Sequence, residues 1–98
     1  MVYPVVIEQF AKKDIREAKD WLEEQKPGLG EQFRNELEIT FDRIAANPLA
    51  YAIVERRTRQ VRLPVQTYVV SYIVFENKVH VTAVLHGHRD PTEWKKRS

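Results

Sequence analysis

At 98 residues with no cysteine, the chain is read as one domain, residues 1–98, held by its own core; a disulfide frame, a thiolate nucleophile and a Cys-ligated zinc are excluded. The net charge is +2 but unevenly spread: residues 1–50 carry 7 basic against 10 acidic side chains, net −3, and residues 51–98 carry 9 against 4, net +5. That asymmetry fits either a surface built for an anionic partner or a solvated basic face. No apolar run reaches the length of a transmembrane helix, and neither repeats nor low-complexity tracts are visible. The N-terminus has no basic n-region and reads as a strand, not a signal peptide, so a cytoplasmic location is expected.

Val2 to Ile7 is apolar and β-branched and predicts a strand, with Pro4 at an edge or on a side facing away from the ladder. Ala11, Ile15, Ala18 and Leu22 then recur at helical spacing, with Trp21 on the flank and charged residues opposite. Lys26-Pro27-Gly28 ends this helix, because Pro cannot continue it and Gly accepts a left-handed turn. Leu29, Phe33, Leu37, Phe41 and Ile44 form the stripe of a second helix that Asn47-Pro48 closes. Two amphipathic helices joined this tightly form an antiparallel hairpin whose stripe needs a cover. Ile39 lies off that stripe, as an ordinary exposed apolar residue or part of a partner surface.

Residues 49–60 are irregular in pattern. Val61 and Leu63 flank Arg62 and predict a short strand ending at Pro64. Tyr68 to Phe75 is a strong strand, with Tyr68, Val70, Tyr72 and Val74 on one face, where core packing is the default role of both tyrosines. Glu76-Asn77-Lys78 supplies a hairpin turn. On the return strand, Val79 to His86, alternation puts Val79, Val81, Ala83 and Leu85 on one face and His80, Thr82, Val84 and His86 on the other. Asp90-Pro91-Thr92-Glu93 carries helix-start chemistry: an Asp cap, Pro at the first position and Glu at the third. The expected fold is therefore two-layer α+β, an N-terminal strand and α-hairpin packed on a mainly antiparallel sheet (β-α-α-β-β-β), with a short C-terminal helix.

Together these elements resemble the RelE/ParE toxin superfamily. The resemblance rests on Ala11-x-x-Asp14-Ile15-x-Glu17-x-x-x-Trp21-Leu22, Phe33-x-x-x-Leu37 before Asn47-Pro48, Arg62-Leu63-Pro64 ahead of Tyr68-Val-Val-Ser-Tyr72, and Val84-Leu85-His86-Gly87-His88-Arg89-Asp90-Pro91-x-x-Trp94. The last two elements look more like the ParE, or plasmid stabilisation, branch. Membership implies a type II toxin held inactive by a cognate antitoxin that wraps it. ParE-type members poison DNA gyrase by protein–protein contact. RelE-type members cut mRNA on the ribosome. A non-toxic binding module of the same fold is the third reading. No cofactor is implied; self-association stays open.

For a nuclease, the 2′-hydroxyl route needs a base, an acid and cations at the phosphate; His86, His88, Arg89 and Arg62 are the candidates. Three departures from the RelE pattern weigh against it. Val69 stands where that pattern has an Arg, no terminal Tyr is matched, and Arg replaces the paired Lys before Tyr68. For target or partner contact the candidates are Arg56, Arg57, Arg59, Arg62, Ile39, Arg89 and Trp94. The arginines lack interleaved aromatics, which disfavours single-stranded RNA and fits an acidic antitoxin segment or plain solvation. Trp94 also reads as packing the short helix onto the sheet, and His80 as a surface residue. His86-x-His88 with Asp90 has metal-ligand spacing, but Gly87 and Pro91 break the strand geometry that would align the three, and no metal is expected.

Overall fold

The computed structural model describes residues 2–64, 67–89 and 92–97. In chain order these form β1 (Val5–Ile7), α1 (Gln9–Gln25), α2 (Leu29–Ala46), β2 (Ile53–Glu55), β3 (Thr58–Arg62), β4 (Tyr68–Phe75), β5 (Lys78–His86) and a 3-10 helix, Glu93–Arg97. The five strands make one sheet in the order β1-β5-β4-β3-β2, parallel between β1 and β5 and antiparallel elsewhere. The helical hairpin accounts for the parallel pair, since a parallel return needs a long crossover. Ala11, Ala18 and Leu22 of α1 and Phe33, Leu37 and Ile44 of α2 are buried against Leu63, Tyr68, Val70, Tyr72, Val79, Val81 and Val84. The expected two-layer α+β architecture is thus present.

Helix α1 stops where the sequence predicts, and Gly28 adopts a left-handed φ of 95°. Glu23 reaches across the turn and accepts from the backbone N–H of Gly28 and Gly30, both at 3.0 Å. Those groups belong to the start of α2, where backbone donors lack intrahelical partners. Gly30 also permits close approach of the helices, because a Cβ there would lie 2.9 Å from the Lys19 carbonyl oxygen.

The structure corrects four sequence expectations. The first strand is confined to Val5–Ile7, because the Tyr3 amide is drawn away to the Ala45 carbonyl at 2.8 Å. Ile53–Glu55, within the stretch read as irregular, forms an edge strand on β3; all three residues are exposed, so no alternating burial pattern announces it. The short strand before Pro64 begins earlier, at Thr58. The fourth correction matters most for the site. Ser71 pairs with Ala83 and Tyr72 with Val81, so Thr82 is an extra residue on β5, a β-bulge. The bulge shifts the alternation by one: Val84 joins Val79 and Val81 in the core, and Leu85 turns to the other face of the sheet.

The Glu76-Asn77 turn has positive φ at both positions, 51° and 61°, as a tight two-residue hairpin requires. The Asp90-Pro91 helix-start signal lies outside the described residues. The C-terminal helix itself is of the 3-10 type, over Glu93–Arg97.

Candidate functional site

The strand exit lies where β5 leaves the sheet beside the start of β4, with His86 opposite Tyr68. Gly87 donates its N–H to the Thr67 carbonyl at 2.9 Å. A Cβ on Gly87 would sit 3.3 Å from that same oxygen, so glycine suits this close approach. Beside this bond, His86 Nε2 lies 2.9 Å from Thr67 Oγ1. The other ring nitrogen, Nδ1, accepts from the backbone N–H of His88 at 3.1 Å and of Arg89 at 3.2 Å.

The chain then folds back toward α1. Arg89 donates to the Tyr68 hydroxyl at 2.9 Å, and its guanidinium carbon lies 4.4 Å from the centre of the Trp21 ring. Tyr68 is fixed in turn between Phe33, 5.1 Å away and tilted, and the edge of His86 at 5.4 Å. Arg89, Trp21, Tyr68 and His86, with Asp14, Glu17 and Ala18, line a cleft of about 210 Å³ between α1 and the end of β5.

One carboxylate anchors that cleft. Strand β1 ends opposite Val81, which leaves the edge of β5 that faces away from β4 without a strand partner beyond that point. Asp14 accepts from the Val84 N–H at 3.1 Å. Arg97 completes the arrangement by pairing with both carboxylate oxygens of Asp14 and donating to the Thr82 carbonyl at 3.2 Å. Its guanidinium also lies 5.1 Å from the Phe10 ring. Both partners of this ion pair are largely buried. They do for the backbone of β5 what a longer β1 would have done.

The predicted site residues fall into separate places. Arg62 and Trp94 lie on the other face of the sheet, lining a cleft of about 150 Å³ with Gln60, Val69, Ser71 and Leu85. Arg62 and Arg89 therefore stand on opposite faces and form no single clamp, although His86 borders both clefts. His88 is exposed, with its ring 5.8 Å from that of His86. The arginine run is also dispersed. Arg59 points to the helix side and donates to the carbonyls of Tyr51 at 2.5 Å and Leu49 at 3.3 Å. Arg57 sits 5.5 Å from the Phe75 ring, and Arg56 occupies the β2–β3 turn with φ 54°. Ile39 is exposed on α2. His80 pairs with Glu8 at 3.1 Å, far along β5 from the exit. Asp90 lies outside the described residues; among those described, no group of three metal-binding side chains converges.

Sequence reasoning missed Asp14, Arg97, Trp21 and Thr67 as parts of the site. Asp14 did carry a signal: it falls on the helical stripe of Ala11 and Ala18, where a charge must find a partner. Thr67, in contrast, takes a positive φ of 54° that no local pattern foretells.

Tyr72, away from both clefts, ties the sheet to the segment after α2. Its hydroxyl donates to the Pro48 carbonyl at 2.6 Å. Burial pushes the phenol from 10.0 up to about 12; the Arg59 charge opposes that rise and Tyr51 adds to it. Below pH 10 the hydroxyl is protonated in both the folded and the unfolded chain. Between about pH 10 and about 12 the unfolded chain releases that proton first, so stability is lost as pH rises through this range. Tyr72→Phe should cost about 1 kcal/mol at neutral pH through the lost hydrogen bond. It should also flatten the alkaline decline, as read by urea midpoints across that range. An unchanged decline would place the alkaline titration elsewhere.

The hairpin-on-sheet architecture with a cleft at the strand exit defines a RelE/ParE-like toxin fold. A mutant of E. coli toxin RelE in the free state superposes with a TM-score of 0.74, covering 99% of this chain and 94% of that one, at 19% identity. The Toxin RelE1 of Caulobacter vibrioides is 29% identical over 89 residues, which span 89% of this chain and 96% of the relative. Residues 5–91 match the family described as "ParE toxin of type II toxin-antitoxin system, parDE". The chain belongs to that family, within the RelE/ParE toxin superfamily, and membership implies an antitoxin partner. Among the described residues, no helix is long and apolar enough to cross a membrane.

Proposed function

We propose that the chain is a ParE-like toxin that acts by protein–protein contact, with DNA gyrase as its target and Arg89 at the contact. The observation that carries this reading is the state of His86. Both of its ring nitrogens are engaged, Nδ1 by the turn that presents Arg89 and Nε2 by Thr67 just before β4, so the best-placed candidate for a general base already has structural bonds. Val69, where RelE-type nucleases resemble one another in having an Arg, adds no phosphate ligand. Arg89 lies over an aromatic ring at the mouth of a cleft, a setting in which arginine is often dominant at protein interfaces.

Arg56, Arg57 and Arg62 are exposed, and with Trp94 they offer a cationic surface for an acidic antitoxin segment. Arg59 contributes through the fold, by holding the 49–51 loop. Ile39 belongs to the same proposal as an apolar contact on the helix face. The second reading, a ribosome-dependent mRNA endonuclease, is favoured by the names of the relatives, Toxin RelE1 and toxin RelE.

Pulse-labelled protein synthesis minutes after inducing the chain alone in a bacterial host separates the two. Under the gyrase reading, labelling continues while division fails, and purified chain blocks supercoiling by gyrase. Rapid collapse of labelling with gyrase unaffected would give the site to mRNA cleavage. Continued synthesis with normal growth would leave a non-toxic binding module.

A further inference from the structure

We propose that His86 is a positioning residue for Arg89, acting through Nδ1 with the ring proton on Nε2. The inference rests on reading Arg89 as the target contact, but its structural part stands by itself. A nitrogen that accepts from two backbone amides carries no proton. Nδ1 does so from His88 and Arg89, at 3.1 and 3.2 Å. In a neutral imidazole the proton then resides on Nε2, where Thr67 Oγ1 at 2.9 Å takes it as acceptor. The opposite tautomer would set an N–H against two amide N–H groups and leave Nε2 with no proton to give.

The ring thus works as a bracket between two chain segments. On one side it is fixed to Thr67, whose carbonyl also holds Gly87. On the other it gathers the amides of the turn, including that of Arg89 itself. With its backbone held there, the Arg89 side chain leaves the turn toward α1, where the Tyr68 hydroxyl and the Trp21 ring receive it. A side chain ordered before an encounter loses less freedom on binding.

Two substitutions separate this role from mere packing. In asparagine, Oδ1 stands at the branch position of Nδ1, so His86→Asn keeps the acceptor for both amides and gives up the reach to Thr67. In glutamine the amide extends to the place of Nε2, so His86→Gln keeps that reach and gives up the acceptor. Both remove the aromatic contact with Tyr68. The readouts are hydrogen exchange of the His88 and Arg89 amides and the ring-current shift that Trp21 imposes on the Arg89 side-chain protons. Growth arrest at graded induction is followed alongside.

The expected result is that His86→Asn retains protection and ring-current shift, whereas His86→Gln loses both. Growth inhibition by His86→Gln should fall roughly tenfold, the scale of one to two lost hydrogen bonds. In the unsubstituted chain, imidazole nitrogen shifts should report the proton on Nε2. Equal damage by the two substitutions, unchanged exchange in His86→Gln, or a proton on Nδ1 would each overturn the proposal. If the structural readouts follow the expected order while gyrase is unaffected by the unsubstituted chain, the gyrase reading fails and the positioning role survives.

Discussion

Asp14→Ala is expected to destabilise the fold by about 3 kcal/mol, while Arg97→Ala costs about 1–2 kcal/mol. The two residues form one ion pair, yet their losses are unequal because of what each leaves behind. Asp14 serves the Arg97 guanidinium and the Val84 amide at once. Its removal strands a β5 donor beside the buried face of α1 and leaves a mostly buried cation without its counter-charge. Arg97 belongs to a five-residue 3-10 helix, which can swing to water and recover hydration, so the loss sits at the lower end for a broken buried pair. When Arg97 is removed, the carboxylate still has the Val84 N–H. A double-mutant cycle read by urea midpoints checks this: the double variant should be little worse than Asp14→Ala, because the pair acts as a unit. Additive losses, or a larger loss for Arg97→Ala, would mean that the carboxylate is not the centre of the arrangement.

The ion pair also shows where sequence reading succeeds and where it stops. Periodicity located both helices, because Ala11, Ala18, Leu22, Phe33, Leu37 and Ile44 all point inward at helical spacing and are buried. The β4 alternation held for the same reason, with Tyr68, Val70 and Tyr72 buried on one side. The pattern of β5 misled at its C-terminal end. A run of valines, alanine and leucine contains no marker for an extra residue, and the bulge at Thr82 depends on pairing with β4 rather than on local chemistry. That one residue decides that Val84 faces Asp14 and that Leu85 faces Arg62.

For the candidate site, the sequence carried the position of its residues along the chain and not their arrangement. The strand pattern put His86, His88 and Arg89 at the end of a strand, and β5 does end at His86. Their placement depends on contacts far apart in sequence: Arg89 with Trp21 and Tyr68, and His86 with Thr67. The run Arg56, Arg57, Arg59 and Arg62 gave the opposite illusion. Neighbours in sequence, they are divided by a turn and by strand alternation, which sends Arg59 to the helix side and Arg62 to the far face.

Arg89→Ala is expected to weaken growth inhibition about 30-fold or more, corresponding to roughly 2 kcal/mol or more at the target contact. His80→Ala, on the strand that leads to Arg89, should leave inhibition within about twofold, since a partly exposed pair such as Glu8–His80, far from the strand exit, contributes little. The contrast controls for general damage to β5. Arg89→Lys sharpens the claim. A lysine keeps the positive charge but lacks the planar face that lies 4.4 Å from Trp21 and the fork that reaches the Tyr68 hydroxyl. If charge alone mattered, Arg89→Lys would retain full inhibition. If the planar group set by Trp21 and Tyr68 is what the target meets, it should behave nearly as Arg89→Ala does, and Trp21→Ala should lose inhibition in the same direction. Graded induction with growth as the readout, at matched protein levels, measures all four variants. Equal inhibition by Arg89→Ala and His80→Ala would place the contact elsewhere on the surface. The expected ordering ties function to one geometric fact: a strand exit that folds an exposed arginine back over a helix tryptophan, so that it meets a partner already ordered.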